Sequence, residues 1–123
     1  MSARYREILQ IGELFELVFN WRLSDNITPI NLENLTKAKI DFKTSDNSNT
    51  VMSFSIDNGI YIDDAINGKF SLRITLKNQQ DNNLNRLSYL VGDLVLLFAN
   101  GDSKVPVRLE LDILKSITDI SGL

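Results

Sequence analysis

The stretch Leu87–Ile113, LSYLVGDLVLLFANGDSKVPVRLELDI, decides the fold class, because it has the pattern of one long β-hairpin. Its first half is apolar at nearly every position, so the sequence predicts a central strand that lies deep in the fold. Asn100-Gly101 follows and supplies two residues that tolerate positive φ, which is typical of a tight hairpin turn. The apolar residues on the two sides of this first strand are Tyr89, Val91, Val95 and Leu97, and Leu90, Leu94, Leu96 and Phe98.

The second half of the hairpin returns as an amphipathic strand. Apolar residues from Val105 to Ile113 alternate with Lys104, Arg108, Glu110 and Asp112, so one face of the strand is expected to be wet. Pro106 cannot donate a hydrogen bond to a neighbouring strand. We therefore expect this strand to lie at or near the edge of its sheet.

Further strands are predicted upstream of the hairpin. Phe15–Trp21 alternates as a strand does, and although Ile8, Ile11, Phe15 and Phe19 also share a helical face, its Phe, Val and Trp content favours a strand. We expect a short first strand at Glu7–Ile11, and the polar, basic Met1–Arg6 to fray or to act as a contact arm. The remaining predicted strands are one from Leu35 or Thr36 with Ala38, Ile40 and Phe42 inward, then Val51–Ile56, Ile60–Ile62 and Lys69–Leu76.

Between the last of these strands and the hairpin lies the polar segment Lys77–Arg86, in which we expect a short helical turn anchored by Leu84 and Leu87. Seven or eight short strands without a long helix predict an all-β, immunoglobulin-like antiparallel β-sandwich, with a small barrel as the structural alternative. The length predicts one domain, residues 1–123, with a short flexible N-terminal arm and a C-terminal tail from Leu114 to Leu123. The predicted core is Phe15, Leu17, Phe19, Ile40, Phe54, Phe70, Leu72, Ile74, Leu94, Leu96, Val107 and Leu109.

Composition excludes several functions. Cysteine is absent, which excludes disulfides and thiol chemistry, and histidine is absent, which removes the usual general base and the commonest transition-metal ligand. The net charge of −3 offers no basic field for phosphates, so no nucleic-acid partner is expected. No run reaches the roughly 20 apolar residues that span a bilayer, and no secretory signal is visible, so no membrane association is expected.

Two groups of residues are candidate sites. Asp57, Asp63 and Asp64 are the densest acidic group, but they lack a recognised calcium-loop spacing and are interpreted as solvated turn residues. Trp21 with Tyr61 or Tyr89 would make a sugar-stacking platform, although a lone Trp in an alternating strand is more often core or interface. The sequence therefore predicts no catalytic, cofactor-binding or metal-binding residue, no cofactor and no enzyme activity.

The order of these signals resembles a family of phage tail and baseplate β-sandwich proteins, and in particular the N-terminal domain of phage baseplate upper proteins. The similar motifs span nearly the whole chain, from Gly12 to Thr118. They are Gly12 before Leu14-Phe15-Glu16-Leu17, then Thr28–Thr36, Asn58-Gly59-Ile60, Asn67–Leu72, and the closing Tyr89–Leu94, Asn100-Gly101 and a terminal strand running to Ile117-Thr118.

The resemblance implies a non-enzymatic virion structural protein of a phage or prophage, an assembly module of the tail, baseplate or neck that acts through protein–protein contacts. Its partners would be other tail or baseplate proteins, and it would form a homo-oligomer or a multi-copy complex in the particle. Its location would be the virion, and the host cytoplasm during assembly. The alternative is a carbohydrate-binding β-sandwich module for host-surface recognition, but a sugar-binding face needs exposed aromatic residues, and most aromatics here are predicted to face inward.

Overall fold

The computed structural model describes residues 3–23, 25 and 27–116, and this part of the chain is almost entirely β. Eight strands within it form one sheet that curls until it is nearly barrel-shaped. The strands are β1 (Ala3–Gln10), β2 (Phe15–Asn20), β3 (Leu35–Lys43), β4 (Thr50–Ile56), β5 (Gly59–Asp64), β6 (Lys69–Ile74), β7 (Tyr89–Phe98) and β8 (Ser103–Leu114). Helix α1 (Leu76–Asp81) and the 3-10 helix Leu84–Arg86 lie between β6 and β7.

Strand order around the sheet is β1-β8-β7-β3-β4-β5-β6-β2. The all-β prediction is confirmed, but the eight described strands belong to a single sheet, and an immunoglobulin-like sandwich is not confirmed. The prediction of a purely antiparallel arrangement is wrong, because β1 pairs in parallel with β8 and β4 pairs in parallel with β5. Alternation along a strand shows which face is buried, but it does not show the direction of the neighbouring strand.

The β7–β8 hairpin is confirmed, and β7 lies inside the sheet between β8 and β3. At its tip the Gly101 N–H donates to Phe98 O at 2.9 Å and the Phe98 N–H donates to Asp102 O at 2.9 Å. Of the Asn100-Gly101 pair only the glycine takes positive φ, at 91°, so the connection is a three-residue loop closed by a left-handed glycine. The outer face of β7 is only partly covered, because Val95 is 40% exposed.

Strand β1 starts earlier than the sequence predicted. It begins at Ala3 and pairs with β8 along its whole length, from Ala3 opposite Val107 to Gln10 opposite Leu114. Residues 3–6 belong to the sheet, so the prediction that they fray is wrong, whereas a contact role for them stays a prediction. Met1, Ser2 and the predicted tail beyond Ser116 lie outside the described residues.

Pro106 lies at a place in the sheet that tolerates a residue without a backbone N–H. Strand β8 is next to the edge strand β1, and pairing with β1 begins only at Val107, one residue after the proline. On the β7 side, Pro106 lies at a register shift between Leu94 and Leu96. A bulge next to an edge strand tolerates the missing donor, so the prediction of a near-edge strand is confirmed.

The chain passes from β4 to the neighbouring strand β5 without reversing its direction. The two strands run in the same direction and are joined by only two residue pairs, Ser55 with Gly59 and Ile56 with Ile60. Gly59 has φ 95°, and a Cβ atom built there would lie 2.1 Å from the Phe54 ring. This glycine lets the backbone pass directly over a core aromatic residue, which makes a sharp corner in the sheet.

The inward faces of the strands meet in one apolar core. Ten of the twelve predicted core residues are buried, and Phe15 and Leu17 are partly buried against them. The fully buried apolar side chains that the prediction left out are Leu9, Phe42, Ile60, Leu84, Leu90 and Leu111.

Helix α1 is joined by hydrogen bonds to the β1–β2 loop at one end of the barrel-like sheet, which we call the closed end. The predicted helical turn and its anchor Leu84 are confirmed, since Leu84 is fully buried. The buried Gln79 side chain holds the β1–β2 loop, because its Oε1 accepts from the Gly12 N–H at 2.9 Å and its Nε2 donates to Glu13 O at 2.7 Å. The opposite end, where β1, β6 and β8 begin and β2 ends, is the open end.

Candidate functional site

The open end contains a cavity of about 380 Å³, which we call the first cavity. It lies where the two terminal strands of the sheet, β1 and β2, approach each other without strand pairing between them in the described part of the chain. Its volume is within the range of small-molecule sites. The residues that line it are Ala3, Tyr5, Phe19, Asn20, Trp21, Arg22, Phe70, Lys104, Val105, Pro106 and Val107.

A second cavity of about 610 Å³ adjoins the first and shares Trp21 and Lys104 with it. Trp21 is half-buried, and because it lines both cavities it lies between them. The other residues that line the second cavity are Leu23, Ile30, Asn31, Asn34, Phe98, Ala99, Asn100 and Asp102.

The backbone of Trp21 is fixed on both sides. Its N–H donates to Gly68 O at 2.9 Å and its carbonyl oxygen accepts from the Ile30 N–H at 2.9 Å. Gly68 has φ 67°, and a Cβ atom there would lie 2.5 Å from Trp21 O and 2.7 Å from Ile30 O. The β5–β6 turn can approach Trp21 this closely only because a glycine occupies position 68.

A row of aromatic rings leads from the rim of the first cavity into the core. Tyr5 is 41% exposed and meets Phe19 edge to face, with 5.5 Å between ring centroids. Phe19 in turn stacks on Phe70 at 5.0 Å. Because Phe19 and Phe70 are buried, Tyr5 is held against a rigid support while much of its own surface stays accessible.

The first cavity is locally basic, although the whole chain has a net charge of −3. Arg22 and Lys104 line it, and none of its lining residues is acidic. Arg22 Nη1 donates to Ile27 O at 3.1 Å, which anchors the guanidinium without cancelling its charge. Within residues 3–116, apart from 24 and 26, neither Arg22 nor Lys104 forms an ion pair.

The structure does not bring Trp21 together with either predicted partner. Tyr61 lies under the Arg73 guanidinium, whose Cζ is 5.0 Å from the ring centroid. Tyr89 donates its hydroxyl to Glu110 Oε1 at 2.8 Å, and burial, with this hydrogen bond, raises the pKa of Tyr89. The aromatic residue that does share a cavity with Trp21 on an exposed rim is Tyr5, which the sequence prediction missed because it placed Tyr5 in a fraying arm.

The acidic group lies away from both cavities. Asp57 takes φ 63° in the bend between β4 and β5, and Asp64 accepts a hydrogen bond from Asn67 at 2.7 Å. Among the described residues, no group of three or more carboxylate, imidazole or thiol side chains is arranged to hold a metal ion.

The face of β8 that was predicted to be solvent-exposed contains ion pairs. Arg108 contacts Asp46 and, at 3.4 Å, Asp93, and these carboxylates raise the pKa of Arg108. On the same face, Arg6 of β1 pairs with Asp112 at 2.7 Å. These charges are matched by local partners, in contrast to the basic side chains at the open end.

Comparison of the sequence with models of known protein families finds no match, and comparison with curated proteins finds none either. No helix among the described residues has the length and apolar character needed to cross a membrane.

Proposed function

We propose that this protein is a non-enzymatic structural module of a phage tail, baseplate or neck, which acts through protein–protein contacts as the resemblance implies. The observation that supports the proposal is a set of exposed apolar side chains on the two edge strands, β1 and β2, and on β8, which pairs with β1. Ile8 is 65% exposed, Leu114 54% and Val18 44%. Ile8 and Leu114 lie two positions apart on paired strands, since Ile8 is opposite Asp112 and Gln10 is opposite Leu114.

The proposed occupant of this surface is a second copy of the chain, because the charges along β1 are self-complementary. Arg4 lies before Ile8 on the outer side of β1, and Glu13 lies beyond the end of the strand. Neither side chain forms an ion pair with another described residue. In an antiparallel two-fold contact each Arg4 would face the Glu13 of the other copy, with the apolar side chains between them.

The immunoglobulin-like sandwich also belongs to this proposal. Its support is the weak junction between β4 and β5, where two residue pairs join strands β1-β8-β7-β3-β4 to strands β5-β6-β2. Residues of the two groups, including Ile40 and Leu94 from the first and Ile60 and Leu72 from the second, line one small apolar void. A bend of the sheet at this junction would give the two facing layers that the resemblance implies.

The test is the oligomeric state of the purified protein, measured by light scattering across a range of concentrations. We expect self-association that Ile8→Glu abolishes, because a buried unpaired charge would oppose the contact. Ile66→Glu is the matched control, since Ile66 is 60% exposed but lies in the β5–β6 turn, and it should leave association unchanged. A strict monomer that also fails to copurify with tail or baseplate proteins would contradict the proposal.

A second candidate function, carbohydrate binding, is favoured by the geometry of the open end. Trp21 lines two cavities, and the exposed Tyr5 and the polar Asn20 line the first of them. Asn31 and Asn100 line the second, where their amides also donate hydrogen bonds to Glu33 and Asp102. Aromatic faces with adjacent amides are suited to the apolar C–H faces and hydroxyl groups of sugar rings. Retention of the protein on a glycan column, lost when Trp21 is replaced by Ala, would test it.

A further inference from the structure

We infer that the first cavity takes an acidic sugar, one that carries a carboxylate on the ring. This inference rests on the carbohydrate-binding candidate function and names the class of sugar. Its starting point is the combination of aromatic and basic residues in one cavity. Tyr5 and Trp21 offer ring faces, and Arg22 and Lys104 offer positive charge.

The charge selects the ligand class. Both cations line a cavity that has no acidic lining residue, so a neutral sugar would leave them without an anionic partner. Lys104 has three donors on a flexible stem, and a carboxylate accepts charge-assisted hydrogen bonds that are roughly twice as strong as neutral ones. The guanidinium of Arg22 is held by Ile27 O through Nη1, which leaves its other N–H groups to meet a ligand.

The aromatic row positions the sugar ring. Phe19 and Phe70 support Tyr5 from the core side, so the Tyr5 ring is a fixed surface at the rim of the cavity. The Trp21 N–H donates to Gly68 O and the Trp21 carbonyl oxygen accepts from the Ile30 N–H, and these two hydrogen bonds fix the backbone of the other aromatic wall. A site built from side chains whose positions are already set loses little entropy when a ligand binds.

The second cavity limits how the chain of a larger glycan would run. Lys104 lines both cavities, and Asp102 lines only the second. The carboxylate would therefore lie in the first cavity, away from Asp102. Neutral sugar residues attached to it would extend past Trp21 toward Asn31 and Asn100.

The experiment measures binding by the fluorescence of Trp21, the only tryptophan in the chain. The probes are glucuronic acid and glucose, which differ at C6 by a carboxylate in place of a hydroxymethyl group. We expect glucuronic acid to change the emission and to bind about 10-fold more tightly than glucose, as for a hydrogen bond to a charged group. Added salt should reduce this preference, since exposed charges are screened.

Lys104→Gln should bring the affinity for glucuronic acid to within about 3-fold of that for glucose. Lys37→Gln, on the exposed face of β3, is the matched control and should keep the preference. Because the comparison of the two sugars uses the unaltered protein, it stands even if a variant fails to fold.

Each result separates the inference from the function on which it rests. Equal affinity for the two sugars would overturn the acidic class and leave carbohydrate binding in place. Binding of neither sugar would overturn both. A response to a nucleoside monophosphate without any response to glucuronic acid would overturn the inference in favour of a phosphate ligand.

Discussion

The two ends of the barrel-like sheet differ in the groups that lie over the ends of the strands. At the closed end, the buried Gln79 amide of helix α1 satisfies both a donor and an acceptor of the β1–β2 loop. At the open end no helix of the described residues is present, and aromatic and basic side chains line two cavities. The comparison suggests that the closed end mainly stabilises the fold, while the open end is available for binding.

The largest expected effect is at the closed end. Leu84 is fully buried, and Leu84→Ala should lower the free energy of unfolding by about 2 to 5 kcal/mol, because it leaves a cavity. Urea denaturation measures this loss. Leu23→Ala is the control at the open end, where Leu23 is 50% exposed, and should cost less than about 0.5 kcal/mol. Equal costs at the two positions would remove the distinction between the ends.

Removal of the buried amide should have the next largest effect. Gln79→Leu leaves the Gly12 N–H and the Glu13 carbonyl oxygen without their partner, and we expect a loss of about 1 to 3 kcal/mol in unfolding free energy. Gln10→Leu is the matched control. Its amide donates to Leu114 O in an exposed position and to Ile11 O in a partly buried one, so water can replace it more easily than at Gln79 and the loss should stay below about 1 kcal/mol. A smaller loss for Gln79→Leu than for Gln10→Leu would refute this assignment.

Substitution of Gly68 tests whether the β5–β6 turn stabilises the open end and positions Trp21. Gly68→Ala combines positive φ with a contact of its new Cβ on Trp21 O, and should cost roughly 1 to 3 kcal/mol. Gly101→Ala has the same kind of strain, with φ 91°, but a Cβ there meets open space. We expect Gly101→Ala to cost only about 1 kcal/mol and to leave Trp21 fluorescence unchanged, whereas Gly68→Ala should shift the emission. If both variants leave the emission unchanged, the β5–β6 turn does not position Trp21.

The smallest effect is the pH dependence of the ion pair on the outer face of β1 and β8. The Arg6 guanidinium donates two hydrogen bonds to Asp112, at 2.7 and 2.9 Å, and holds the pKa of Asp112 below its ordinary value of 3.8. A carboxyl with a lower pKa in the folded state stabilises the protein above the pKa of the unfolded chain, and this contribution is lost as pH falls through the folded value.

Acid titration of the thermal midpoint should therefore show a decline below about pH 4 that is shallower in Asp112→Asn. Because both side chains are exposed, the change in slope will be small. Asp63→Asn, in an exposed position for which no such hydrogen bond is present among the described residues, should keep the slope of the unaltered protein. Identical slopes for both variants and the unaltered protein would mean that the ion pair does not contribute.

Local pattern predicted much of the fold, because alternation reports directly which side chains are buried. The β7–β8 hairpin, the inward residues Ala38, Ile40 and Phe42, and the anchor Leu84 were all predicted from their own neighbourhoods. What local pattern does not contain is the identity of the neighbouring strand. The parallel pairs therefore went unpredicted, as did the closing of one sheet into a nearly barrel-shaped form.

The candidate site was missed for the same reason. Tyr5 lies among polar and basic residues, and its strand is fixed by backbone hydrogen bonds to β8 rather than by apolar alternation. Trp21 was predicted as core or interface, with a sugar-stacking role beside Tyr61 or Tyr89 as the alternative, and it does pack half-buried against the core. Its place beside two cavities was not predicted, because it depends on Gly68 and Ile30 of other segments. The signal that would have found the site was the basic pair Arg22 and Lys104, but their closeness is a property of the folded chain.

The pairing of β1 with β8 has a consequence for synthesis of the protein. Ala3 is matched with Val107 and Gln10 with Leu114, so β1 leaves the ribosome well before β8 and meets this partner only when nearly the whole described chain has been made. Closing so long a loop is entropically costly, and contacts between residues distant in sequence slow folding. During translation the backbone groups of β1 and the apolar side chain of Ile8 would remain open to other chains. A chaperone or an early-binding assembly partner would have its longest opportunity at this strand.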